Sequence, residues 1–284
     1  DGALSTYKGN PIHTRKEYDV ATARRTTKKP AHPLADQVPD KAILSGYIHR
    51  TYEGFEDFDI LDYAKDFNQS VLLFGPTGPG KTSLAYAYGA YAGLPVIPVN
   101  CRDGIDPATF FGALSMSADG KVFYQESSIT QVIEHGGVLL LDEVNMAHQR
   151  VTAAFHALLD FRGSITILED GNRVVKAHED LLIMGAYNPG YRGTRPLNQA
   201  MQNRWAIKWE FDYDTGVEEA LVHSVTLRDV ASQIRARVAS GTITTPLSTN
   251  MLQTFERHAV DLSMAFAVKN LINGFDETDR QAVN

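Results

Sequence analysis

Residues 75 to 82 read Gly-Pro-Thr-Gly-Pro-Gly-Lys-Thr, a G-x-x-x-x-G-K-[ST] spacing whose chemistry is the holding of phosphate. Glycine removes the side chains that would keep a phosphate oxygen away from backbone N–H groups, and it permits the backbone angles such a loop requires. The residues assigned to phosphate are Gly75, Pro76, Thr77, Gly78, Pro79 and Gly80, with Lys81 as a point charge for the β and γ phosphates. Thr82 and Ser83 open a helix whose positive end faces the same anion, and the Thr82 hydroxyl is also placed to ligate magnesium. A Gly/Pro-rich turn alone could arise by chance. Here an apolar run, Val71 to Phe74, precedes the loop and a helical stretch, Lys81 to Ala92, follows it.

A second group of reactive side chains, Asp142 and Glu143, closes the apolar run Val138-Leu-Leu-Leu. Ligands of open α/β sheets bind at the carboxyl ends of parallel strands, so Asp142 is the candidate for the magnesium shell. Glu143 is the candidate for orienting and deprotonating an attacking water. Without the loop, the pair would be read as a strand end capping the next helix. The Asn-Lys-x-Asp sequence that reads guanine is absent, which favours ATP. Together the residues point to magnesium-dependent ATP hydrolysis. A small-molecule kinase fits less well, since it needs neither a Glu beside the magnesium Asp nor a long helical appendix.

The elements that must position these groups follow a βα rhythm. After Val71 to Phe74 come apolar runs at Val96 to Val99, Val138 to Leu141, Leu181 to Ala186 and Ala206 to Phe211, separated by helical stretches at Lys81 to Ala92, Ser128 to Glu134 and His148 to Phe161. This predicts an α/β fold with a five-stranded parallel sheet and helices on both faces. Two inserts, Phe111 to Tyr124 and Ser164 to Val175, each turn at a polar Asp-Gly and read as hairpins. Beyond Asp214 the period becomes helical over Val217 to Ser240, Leu247 to His258 and Ser263 to Phe275. The expected organisation is an extended basic arm over 1–40, the α/β domain over 41–213 and a small helical lid over 214–284.

Composition narrows the class further. Hydrophobic residues make up 43% of the 284, enough for a large core, and no apolar run approaches the roughly 18 residues of a membrane span. The start lacks a signal-peptide pattern and Cys101 is the single cysteine, so a soluble, cytoplasmic protein is expected. The net charge is −7, yet the first 34 residues hold seven Lys or Arg against three Asp or Glu. An acidic body disfavours a nucleic-acid track, leaving only the arm (Arg24, Arg25, Lys28, Lys29) as support for a nucleic-acid-stimulated motor or loader. The nine histidines show no metal-ligand spacing, and Tyr86, Tyr88 and Tyr91 read as packing.

The phosphate loop, Leu141-Asp-Glu-Val-Asn145, the Ala186-Tyr-Asn188-Pro-Gly stretch and the helical C-terminal region together resemble AAA+ ATPases of the MoxR-type branch, including the placement of the two hairpins. Within that branch, Gln199-Ala-Met-Gln-Asn-Arg204-Trp and the Met264 to Asn273 segment look most like CobS, the small AAA+ subunit of aerobic cobaltochelatases. The resemblance spans about residues 40–284. It implies that Asn188 is the sensor-1 residue and Arg204 the candidate arginine finger reaching a neighbour's ATP, with Arg192 and Arg195 able to share or take that role. It implies a ring, expected to be a hexamer, that remodels a protein partner, either one with a von Willebrand factor A domain or a metalloenzyme receiving its cofactor. An ATP-switched scaffold without hydrolysis is the other reading. One departure stands out. Where relatives carry a sensor-2 arginine, Ser248-Thr-Asn250 offers asparagine, with Arg257 as a candidate replacement. Phe110, Phe111, Phe123 and Tyr124 are candidates either for gripping a substrate or for hairpin packing.

Overall fold

A computed structural model describes residues 31–101, 110–147, 149–189 and 196–280, with the side chains of 149 and 150 left aside. From Pro33 onward the chain forms one unit. It opens with a 3-10 turn at Ala35–Gln37, so this end of the expected extended arm is not plain coil. The rest of the arm, 1–30, and Arg24, Arg25, Lys28 and Lys29 with it, lies outside the described residues, as do His148, Arg192 and Arg195.

A small hairpin, β1 (Thr51–Tyr52) with β2 (Phe55–Glu56), leads into α1 (Asp57–Asp66) and then β3 (Val71–Phe74). The loop passes into α2 (Lys81–Ala92), which ends at Gly93 in the left-handed conformation, φ 67°. After β4 (Val96–Asn100) comes the hairpin of β5 (Gly112–Met116) and β6 (Val122–Glu126), whose turn uses Gly120 at φ 82°. There follow α3 (Ser128–His135), β7 (Gly137–Asp142), α4 (Gln149–Leu159), the hairpin of β8 (Ser164–Ile167) and β9 (Arg173–Lys176), and β10 (Leu181–Tyr187). A short α5 (Gln199–Gln202) precedes the last strand, β11 (Ile207–Glu210). The remaining elements among the described residues are helices: α6 (Thr215–Leu221), α7 (Val225–Ala239), α8 (Thr249–Asp261) and α9 (Met264–Asn273).

Five strands pair in parallel in the order β11-β3-β10-β7-β4. Alternate residues of β7 and β10 serve two cores, as expected for strands covered on both faces. Leu139, Leu141, Leu181 and Ile183 meet α3 and α4 through Val132, Ile133, Phe155 and Leu158. On the other face, Val138, Leu140, Leu182 and Met184 meet α1 and α2 through Leu61, Leu84 and Tyr88. Tyr88 is fully buried and its hydroxyl donates to Asp62 at 2.8 Å, the packing role expected of it. A third core, including Leu227, Ile234, Leu247 and Leu252, belongs to the C-terminal helices.

The helical periodicity runs over Val217 to Ser240, and the structure divides that stretch into two helices, α6 and α7. Ser224 accepts from the Leu227 amide and caps α7, while the Glu256 carboxylate of α8 accepts from the amides of His223 and Ser224. A distant side chain thus satisfies the orphan donors that a break creates. No helix among the described residues is long and apolar enough to cross a membrane.

One close approach fixes the sheet against its cover. The Trp205 ring lies over Gly185 of β10, where a Cβ would come within 2.5 Å of it. Gly185→Ala should therefore lower stability by about 1–3 kcal/mol, as overpacking of a filled core does. A thermal melt that matches wild type would show that the indole can move aside.

Candidate functional site

The parallel register determines which groups meet. Phe74 pairs with Tyr187, and Ala186 pairs with both Leu73 and Asp142, so the carboxyl ends of β3, β10 and β7 finish level. From these three ends extend the loop, Asn188, and the pair Asp142 and Glu143. Gly75 continues β3 by donating its amide to the Tyr187 carbonyl at 3.3 Å, and a Cβ there would lie 2.4 Å from the Phe211 carbonyl oxygen. Gly78 (φ 79°) and Gly80 (φ 108°) adopt backbone angles that other residues avoid. The Gly78 position is also filled on its open side, because a Cβ would come within 2.4 Å of the Ser248 Cβ.

Lys81 is the electrostatic centre. It is 7% exposed, and its Nζ donates to the carbonyls of Gly75 (3.0 Å) and Pro76 (2.5 Å) and to Asn188 Oδ1 (2.7 Å). Burial pushes its pKa down to about 8, against the opposing pull of the Asp142 and Asp212 carboxylates. Thr82 and Ser83 are exposed at the first turn of α2. The Asp142 carboxylate accepts from the Glu143 amide at 2.9 Å. Glu143 itself has φ 54°, a left-handed conformation rare for a residue with a side chain, which turns the chain sharply out of β7. Nearby, Cys101 donates its amide to the Asp142 carbonyl at 2.8 Å, and burial pushes its thiol up to about 12, so it is a small buried side chain there and not a nucleophile.

Arg204 stands elsewhere. Its backbone carbonyl accepts from the Ser70 hydroxyl, at the amino end of β3, and its guanidinium bonds the Ala200 carbonyl at 2.6 Å. The four residues of β3 separate it from the loop of its own chain. Asn250 lies exposed in the first turn of α8, and Arg257 lies exposed two turns further along. Phe110 is buried edge-on against Phe155 and Phe111, which is packing, while Phe123 on β6 is 46% exposed.

Sequence reasoning missed two arginines at the loop. Arg50, 8% exposed, lies over the Phe211 ring and donates to the carbonyls of Pro79 and of Asp212 (2.7 Å), tying the loop to the chain leaving β11. It is held by Asp57, fully buried, which accepts from the Arg50 amide (3.0 Å), the Tyr47 hydroxyl (2.5 Å) and the Phe58 amide (2.9 Å). The second, Arg235, stacks 3.6 Å from the centre of the Tyr213 ring, whose hydroxyl donates to the Thr77 carbonyl at 2.7 Å. Neither has a motif.

The residues present fit a magnesium nucleotide. A buried ammonium satisfied by carbonyls gains by exchanging them for phosphate oxygens, and the loop's glycines leave the backbone open to them. Thr82 and Asp142 would offer hard oxygen donors of the kind magnesium takes. Since Lys81 pairs with phosphate only when protonated, ATP affinity should be level below its pKa of about 8 and weaken as pH rises through it. Titration calorimetry across that range checks this. A level profile above it would mean the lysine stays charged throughout.

Residues 70–205 match the family profile of the AAA domain, dynein-related subfamily. Uncharacterized proteins of Staphylococcus aureus, among them those of strains USA300 and COL, are 33% identical over 146 residues, covering 50% of this chain and 55% of theirs. The chain thus spans about half the length of these curated relatives. Among solved structures, a RuvB variant from Thermotoga maritima aligns over 79% of this chain and 72% of that one, at 19% identity and a TM-score of 0.47. A Cytophaga hutchinsonii chain aligns over 88% and 82%, at 15% identity and a TM-score of 0.45. The matched residues carry the phosphate loop and four of the sheet's five strands, β3, β4, β7 and β10, and with β11 the parallel order is that of an AAA+ P-loop fold.

Proposed function

We propose that this protein is a magnesium-dependent ATPase of MoxR type, close to CobS, that works as a homo-oligomeric ring, expected to be a hexamer. The observation that carries the reading is the convergence of Lys81, Asn188, Asp142 and Glu143 at three level strand ends. In this scheme the backbone of Gly75 to Gly80, together with Lys81, Thr82 and Ser83, holds the phosphates. Thr82 and Asp142 would hold magnesium, which when bound would neutralise charge on the β and γ phosphates. Glu143 accepts the proton of the water as its oxygen bonds to the γ phosphorus and the bond to the β-phosphate oxygen breaks. Asn188, already beside Lys81, orients that water or the γ phosphate. Arg204 serves the ATP of a neighbouring subunit, a role supported by its place at the opposite end of β3 from its own loop. The work is spent on a protein partner, such as one with a von Willebrand factor A domain or a metalloenzyme receiving its cofactor.

Two measurements bear on this. Glu143→Gln should bind ATP yet hydrolyse it at least about a hundredfold more slowly, and unchanged turnover would remove Glu143 from the scheme. Lys81→Ala and Arg204→Ala should each abolish hydrolysis, while mixing the two should restore part of it. In mixed rings an intact loop can face an intact arginine. Failure to complement, with rings formed, would show that Arg204 does not act across the interface.

A further inference from the structure

The first turn of α8 carries Asn250 and no arginine, yet Arg235 of α7 is joined to the phosphate loop through its neighbours. The Tyr213 hydroxyl donates to the Thr77 carbonyl (2.7 Å), and the Arg235 guanidinium carbon sits over the Tyr213 ring, 3.6 Å from its centre. That guanidinium makes a two-pronged pair with Glu218 (2.8 and 2.6 Å), and its Nε donates to the Leu247 carbonyl at 2.8 Å. Glu218, only 6% exposed, also accepts from the Thr249 hydroxyl (2.7 Å) in the first turn of α8. Next to Thr249, Ser248 returns to the loop and fills the space beside Gly78. The contacts therefore form a closed circuit, from Thr77 through Tyr213, Arg235, Glu218 and Thr249 back to Gly78.

Each link has a fixed geometry. A planar guanidinium paired with a carboxylate through two parallel bonds, and stacked on a ring, has little freedom to reorient. Burial works against an ionised Glu218, but the bonds from Arg235 and Thr249 outweigh it and lower its pKa. Moving the start of α8 away from Gly78 must strain or break one of these links, and so must moving Thr77.

We propose that Arg235 is a positioning residue that couples the seat of α8 to the phosphate loop through Tyr213 and Glu218, so that bound nucleotide and a seated lid stabilise one another. The proposal rests on the nucleotide-site reading above. Because such coupling is reciprocal, nucleotide must tighten the first turn of α8 by the factor that the seated turn tightens nucleotide.

The test uses Tyr213→Phe, which keeps the ring beneath Arg235 and removes only the hydroxyl, and Arg235→Lys, which keeps the charge and removes the paired, stacked geometry. Mg-ADP affinity is measured by calorimetry, and hydrogen exchange of the Met251 and Leu252 amides is followed with and without Mg-ADP. In the unaltered protein Mg-ADP should slow that exchange. Tyr213→Phe should bind Mg-ADP about fivefold more weakly, the scale of one net hydrogen bond, and should lose most of the slowing even at saturation. Arg235→Lys should shift both readouts the same way, and if it fails to fold, Tyr213→Phe alone decides. Wild-type affinity with full slowing in Tyr213→Phe would overturn the coupling and leave the nucleotide site standing. Absence of Mg-ADP binding to the unaltered protein would overturn both.

Discussion

A buried ammonium group must be surrounded by oxygen, and much of this architecture can be understood as meeting that requirement at Lys81. Its three oxygen partners come from two sources, the loop that carries it and the residue just past β10. They can coincide only because β3 and β10 are adjacent, parallel and in a register that pairs Phe74 with Tyr187. Shifting that register by one residue would turn every side chain of β10 to the opposite core and carry Asn188 away from the lysine. The packing of Leu182 and Met184 against α2, and of Leu181 and Ile183 against α3, thus fixes the position of a polar contact several residues away.

The same requirement explains why the loop is braced from outside. Three of the six residues from Gly75 to Gly80 are glycine, which gives up more conformational freedom on folding than any other residue, so the loop needs support to keep one shape. Here Arg50 holds the Pro79 carbonyl, Tyr213 holds that of Thr77, and Ser248 occupies the space beside Gly78. The three braces come from the segment before the sheet, the segment after it, and the start of α8 among the C-terminal helices.

This division also marks what could be read in the sequence. The loop, the carboxylate pair and the five strands announce themselves locally, because glycine spacing and unbroken apolar runs report on their immediate surroundings. The α2 boundaries, Lys81 and Ala92, are predicted to the residue for that reason. The braces are invisible in the sequence. Arg50 bonds carbonyls, which every residue has, and its partners lie near positions 79 and 212. Arg235 meets Glu218 and Tyr213 across helices whose spacing no pattern reveals. The break between α6 and α7 was missed on similar grounds, since the residue that satisfies it, Glu256, belongs to another helix.

The burial of Trp205 over Gly185 has an optical consequence. The chain has two tryptophans, Trp205 at 1% exposure and Trp209 at 3%, and both belong to the sheet and its immediate cover. The core formed by Leu227, Ile234, Leu247 and Leu252 contains neither indole. Intrinsic fluorescence will therefore follow the melting of the α/β body and stay largely dark to the helices behind it. A loosening of those helices that precedes the main transition would escape this emission, and only a label placed on the helices themselves would reveal it.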